Sequence, residues 1–190
     1  MAEASILGAV AGASIGAAAV VGVALITNFL GELFKRYLDA KALAAALGGE
    51  IQSHIEGLPD IEHALQVMLA ATRLGNTVSI PAFSVGAKSP LFDENAGKVG
   101  LLGPDLSWRV ASAYETIRSF RLAWEAAGKP DVGAKLQESY LTAVIHLVNG
   151  RKREGEALVA DLRQFTCLGF VRWTKEQVLG AGEAKKGRHT

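Results

Sequence analysis

The chain has 190 residues, 49% of them hydrophobic, with 20 Lys+Arg against 19 Asp+Glu and a formal net charge of +1. That length suits one domain with an appendage, the apolar fraction excludes disorder throughout, and the balanced charge gives no support to nucleic-acid binding, which normally shows a basic excess. A single cysteine, Cys167, excludes an internal disulfide framework and a cysteine-based zinc cage.

The first predicted element is a membrane span. No charged residue occurs from Ala4 to Gly31, and Ile6–Leu30 is built from Val, Ile, Leu and Phe among Ala and Gly. As a helix that run would be about 37 Å long, more than the ~30 Å hydrocarbon core, so it can cross with some tilt. A buried soluble helix fits less well, because such helices are rarely uncharged over this length. A cleaved signal peptide lacks its basic n-region, since Glu3 is the only charge before the run. Lys35, Arg36 and Lys41 follow the span, which puts its C-terminal side in the cytoplasm, and Phe34 and Tyr37 fall where an interfacial aromatic belt belongs. Within the span Gly8, Gly12 and Gly16 recur every four residues in the run GAVAGASIG. Such a stripe lets another helix approach closely, so the expected contact is self-association or packing against another membrane protein's helix.

The first helix is expected to continue out of the membrane, with Leu33, Tyr37, Leu43, Leu47, Ile51, Ile55 and Leu58 at helical period. Gly57-Leu58-Pro59 stops it. A second helix begins at Pro59-Asp60, shows Ile61, Leu65, Met68, Leu69 and Thr72 on its inner face, and ends at Gly75-Asn76. From Thr77 to Gly103 no helical period persists, and Pro81, Pro90, Gly86, Gly97 and Gly100 interrupt it. A long ordered loop is expected there, with Phe83, Leu91, Phe92 and Leu101 packed on the helices. A third helix starts at Gly103-Pro104-Asp105, with Leu106, Val110, Tyr114, Ile117 and Trp124 on one face. A fourth starts near Asp131 with Leu136, Tyr140, Val144 and Leu147, breaks at Asn149-Gly150, and gives way to a last helical stretch with Leu158, Leu162 and Phe165. No run of strands is evident. The expected fold is all-α: a transmembrane anchor over 1–31, a small helical bundle over 32–179 and a flexible tail over 180–190.

The segment SPLFDENAGKVGLLGPDL, Ser89–Leu106, leading into a helix that carries Tyr114 behind an anchor and a helical hairpin, resembles an arrangement in small bacterial single-pass membrane proteins. The resemblance implies an architecture and transfers no functional residue. With the charge asymmetry it implies a bacterial inner-membrane protein, N-terminus outside and C-terminus cytoplasmic.

Candidate chemistry is sparse. Glu50 and His54 share a helix face and Glu62-His63 opens the next helix, but no E-x-x-H spacing supports a metal site, so a solvated polar rim is expected. His146, among apolar neighbours, is expected in the core. Asp93–Lys98 starts like a calcium loop but has Lys98 where glycine is required, which leaves Asp93 as a cap or turn residue. Cys167, flanked by Phe165, Leu168 and Phe170, reads as a buried thiol, and Trp108, Trp124 and Trp173 as core or interface anchors. Two glycines in Gly182–Arg188 have phosphate-loop spacing without the strand or the Lys-Ser/Thr that such a loop needs. Lys35, Arg36 and the cluster Arg151, Lys152, Arg153 are candidate contacts for anionic lipid, as is Lys185-Lys186-Arg188. No catalytic, cofactor-binding or metal-ligating residue is assigned. The expected function is a membrane-anchored interaction or scaffold protein. The alternatives are a membrane-bound enzyme or small-molecule binder with a site under the 77–103 loop, and a glycine-zipper pore.

Overall fold

In the computed structural model the described residues are 2–81, 89–129 and 131–175, with side chains described from residue 22 onward, and among them the chain is all-helical without strands. Helix α1 runs Ala2–Glu56, α2 Leu58–Arg73, α3 Pro90–Asn95, α4 Pro104–Ala127 and α5 Ala134–Thr166. A 3-10 segment, Ala96–Leu102, joins α3 to α4, and a last helical turn covers 170–175.

The two described stretches of α1 behave differently. From Tyr37 onward an apolar stripe is buried, with Tyr37, Ala40, Leu43, Ala44, Leu47, Ile51 and Ile55 at spacings of three and four. Before it, every residue from Val23 to Gly31 is exposed, including Val23, Leu25, Ile26, Phe29 and Leu30. Nothing among the described residues covers that stretch. Among the described residues no helix is long and apolar enough to cross a membrane. Most of the expected span, residues 4–21, and with it Gly8, Gly12 and Gly16, lies outside the residues whose side chains are described.

Helix α5 returns antiparallel along α1. The Tyr37 hydroxyl donates to the Leu168 carbonyl at 2.7 Å, Gly48 faces Leu162, and Gly155 faces Ile55 at the far end. The absence of a Cβ at Gly155 sets that approach: an added Cβ would lie 2.9 Å from Ile55 Cδ1. The core divides into two clusters. One gathers the α1 stripe with Val99, Leu102, Val110, Tyr114, Leu158 and Leu162. The other joins Leu65 and Leu69 of α2 to Ile80, Trp124, Leu141, Val144 and Val148. Buried Gln137 ties the extended segment after α2 to this second cluster: it accepts from Val78 N–H at 2.9 Å and donates to the carbonyls of Val78 and Ala127. A side-chain amide with both ends satisfied is tolerated in such a core.

Several expectations need correction. The stretch expected as a loop is helical from Pro90 to Leu102, because Pro90 fixes a first turn and the Glu50 carboxylate receives its leading N–H groups. Its apolar residues divide: Phe92 and Leu101 pack on the first cluster, Leu91 is 39% exposed, and Phe83 lies outside the described residues. Helix α5 runs unbroken through Asn149-Gly150 and begins at Ala134 rather than near Asp131. His146 is exposed, since Val144, Ile145 and Val148 take the inner face and a residue one step past Ile145 turns outward. Leu136 is exposed for a similar reason. Cys167 falls in the turn after α5 and is exposed. Trp108 is 71% exposed, while Trp124 and Trp173 are buried as expected. Asp93 sits in the first turn of α3, where its charge suits the helix dipole, without capping it. The tail over 180–190, with Lys185, Lys186, Arg188 and His189, lies outside the described residues.

Candidate functional site

A cavity of about 940 Å³ lies between the two core clusters, bounded by α1, α4, α5, the start of α2 and the edge of α3. It exists because α1 and α4 are held apart over much of their length: both pack closely on α5 and on the 3-10 segment that bridges them, and meet each other chiefly through side chains such as Tyr114 and Glu50. Ile51, Ile55 and Leu158 of the first cluster and Val148 of the second line it, with Leu58, Ile61, Ile117 and Phe120 between them. Most of the wall is therefore aliphatic or aromatic. A cleft of this size with few polar groups has the usual make-up of a ligand site.

The polar groups converge where α1 meets α4 and α3. The Glu50 carboxylate accepts three hydrogen bonds: from the Tyr114 hydroxyl at 2.6 Å, and from the backbone N–H groups of Leu91 at 3.1 Å and Phe92 at 3.2 Å. The Phe92 ring stacks on Tyr114 with centroids 4.0 Å apart. Burial, and then the hydrogen bond to Glu50, push the Tyr114 phenol above its ordinary range, so it stays a donor at every physiological pH. Glu50 is thus occupied as a structural acceptor.

One turn along α1, His54 lines the same cavity, and its Nε2 is buried without a hydrogen-bond partner among the described residues. Burial foremost, helped by the charge of Arg121, holds the imidazole below its usual range, against an opposing pull from Glu50. Arg121, on the α4 wall, donates to Ser89 Oγ at 3.2 Å and makes no ion pair among the described residues. The other cationic wall residues are neutralised. Arg109 meets Asp161 at 2.6 Å and Asp105 at 3.7 Å, and Arg151 meets Glu154 at 2.5 Å. An apolar cleft ending in one uncompensated guanidinium and one unsatisfied imidazole can hold a ligand with a hydrogen-bond-accepting or anionic head.

The expected site residues are distributed unevenly. Glu50 and His54 are not a solvated rim but part of the cavity wall, while His63 is exposed on α2 and does not join them. Among the described residues no group of three or more His, Cys, Asp or Glu could hold a metal ion. Lys35 and Arg36 are exposed beside the bare stretch of α1, and Arg36 lies 3.6 Å from Glu32. The Arg151, Lys152, Arg153 cluster sits beyond the Gly155–Ile55 contact, roughly 30 Å along α1 from Arg36 at 1.5 Å per residue. Arg121 escaped the sequence reading. Its signal was the wide face of α4, where Arg109, Ala113, Ile117 and Arg121 follow one another every four residues beside the apolar stripe.

No family model, curated protein or solved structure matches the chain. Its reading therefore rests on its own chemistry.

Proposed function

We propose that this chain is a membrane-anchored helical interaction protein. The observation that carries the reading is the bare stretch of α1 from Val23 to Gly31: uncharged, exposed at every residue, and apolar apart from Thr27, whose hydroxyl is bonded to the Val23 carbonyl, and Asn28. An uncharged helix that exposes Val23, Leu25, Ile26, Phe29 and Leu30 together favours an apolar surrounding, and the uncharged sequence back to Ala4 extends it to spanning length. Lys35, Arg36 and Lys41 support a cytoplasmic bundle in a bacterial inner membrane. Gly8, Gly12 and Gly16 would be the contact for a second copy or another membrane protein. Lys35 and Arg36 would meet anionic headgroups. The Arg151 cluster would do so only if the bundle lay flat on the bilayer, because of its distance along α1.

The test is fractionation. Membranes washed in alkaline carbonate should retain the protein, and a C-terminal reporter active only in the cytoplasm should give signal. Recovery in the soluble fraction would defeat the anchor reading.

The cavity favours a second reading within this frame: a small-molecule binder whose site is edged by Pro90 and Leu91 of the 77–103 segment. The bundle would then present a ligand-dependent surface on a fixed membrane stalk.

A further inference from the structure

We infer that the cavity between α1, α4 and α5 binds a single-chain anionic amphiphile, a long-chain carboxylate, with its head at Arg121 and His54 and its chain along the aliphatic wall. The inference rests on the binder reading above and gives it a ligand class.

Three observations converge. The space is large, about 940 Å³, and its exposed wall is predominantly apolar, with Ile, Leu, Val and Phe side chains from two core clusters that do not close on each other. Filling such a wall with hydrocarbon removes apolar surface from water, the dominant favourable contribution to binding of this kind. The second observation is the charge arrangement at one end. Arg109 and Arg151 are paired with carboxylates, but Arg121 has a hydroxyl for a partner and no carboxylate among the described residues. A guanidinium presents a planar fork of donors that matches a carboxylate in two-point contact. The third is His54 Nε2, buried in the wall without a partner among the described residues. A buried polar atom without a hydrogen bond is costly, so a ligand group that bonds this nitrogen removes a penalty that the described residues leave in place.

The nearby acid does not compete for the guanidinium. Glu50 is held by Tyr114 and two backbone N–H groups, so its oxygens are directed to α3 and α4. A neutral or cationic head would leave Arg121 uncompensated beside hydrocarbon. A ligand without a chain would leave the wall wet. A single chain with an anionic head meets both demands.

Trp108 makes the test direct. It lines the cavity and is 71% exposed, whereas Trp124 and Trp173 are buried in the bundle. The full chain in phosphatidylcholine discs is titrated with stearic acid brominated midway along its chain, at about pH 8.5 so that the carboxylate is ionised. Bromine quenches nearby indoles. Saturable quenching is expected, and Trp108→Phe should remove most of it. The matching brominated alcohol should need about tenfold more for half-saturation, the scale of one charge-assisted contact. Arg121→Leu should raise the half-saturation for the acid about tenfold and leave the alcohol unchanged, while Arg121→Lys should stay nearer the parent. Equal half-saturation of acid and alcohol in the parent chain would overturn the anionic-head assignment without depending on any variant. Linear quenching that is indifferent to Trp108→Phe would overturn the site, since that is partition into the bilayer. A chain that does not enter the discs would overturn the anchor alone, and the same titration would still be read in buffer.

Discussion

His54 ties the cavity to pH. Its folded imidazole is held below its ordinary value by burial and by Arg121, so the unfolded chain binds a proton more readily than the folded one. Stability from this group is complete above the unfolded value near 6.5 and declines as pH falls from there toward the folded value. Thermal midpoints of the full chain in lipid discs should hold steady from about pH 8 to pH 7 and fall below about 6.5. In His54→Gln the fall over that window should be smaller. Parallel profiles for parent and variant would show that the imidazole is not responsible. Tyr114 offers a second residue-level check. Tyr114→Phe keeps the stack on Phe92 and deletes the 2.6 Å hydrogen bond to Glu50. Loss of a bond to a charged acceptor costs about 1.5–3 kcal/mol, and the lower end is expected because two backbone donors remain on the carboxylate. Urea midpoints of parent and variant measure it, and no change would mean that water replaces the phenol without penalty.

At the scale of elements, two glycines in helical surroundings should respond in opposite directions to the same substitution. Gly150 lies inside α5, is exposed, and a Cβ there would meet nothing within 4 Å. Gly150→Ala should therefore stabilise by about 0.5–1 kcal/mol through helix propensity. Gly103, between the 3-10 segment and α4, has φ 84° and ψ 165°, a conformation that side chains disfavour. Gly103→Ala should cost about 1–3 kcal/mol. Midpoints shifting the same way in both would contradict these assignments. The two positions also show how far the sequence could be read. Gly103-Pro104-Asp105 marked the start of α4 correctly, since a positive-φ residue before Pro is a local signal. Asn149-Gly150 looked equally like a stop, yet α5 continues because Val144, Val148, Leu158 and Leu162 stay buried on either side of it. Tertiary burial outweighs the roughly 1 kcal/mol penalty of one glycine. Periodicity revealed the buried stripe of α1 and most of the α4 face in the same way. The cavity was not legible, because it arises from how far apart α1 and α4 are held. That separation depends on α5 and the 3-10 segment, and the latter's helical turns are too short to show a period.

At the scale of the whole molecule, α1 belongs to both the proposed anchor and the bundle. At 1.5 Å per residue its 55 residues extend roughly 80 Å, and its stop signals come at Gly57-Leu58-Pro59, at the edge of the cavity that Leu58 helps to line. The bundle begins within two turns of Leu30, where Phe34, Tyr37, Phe170 and Trp173 cluster around α1 with ring centroids 5.4–6.4 Å apart. Phe34, Leu38 and Val171 remain exposed there. On the anchor reading this aromatic collar sits at the headgroups, where amphipathic rings are favoured, and the cavity is held at a fixed height above the bilayer. Cysteine accessibility tests that register. The exposed native thiol must first be removed as Cys167→Ser. Single cysteines are then placed at Ile26 and Phe29 on the bare stretch and at Ala45 on the exposed side of the bundle segment. Maleimides attack the thiolate, which does not form in hydrocarbon. In inverted membrane vesicles Ala45→Cys should react at the rate of an exposed thiol, and Ile26→Cys and Phe29→Cys at about a tenth of that rate or less. All three are exposed on the isolated chain, so its own fold provides no reason for them to differ. Equal rates at the three positions would place the bare stretch in water and leave its exposed apolar side chains without the bilayer that explains them.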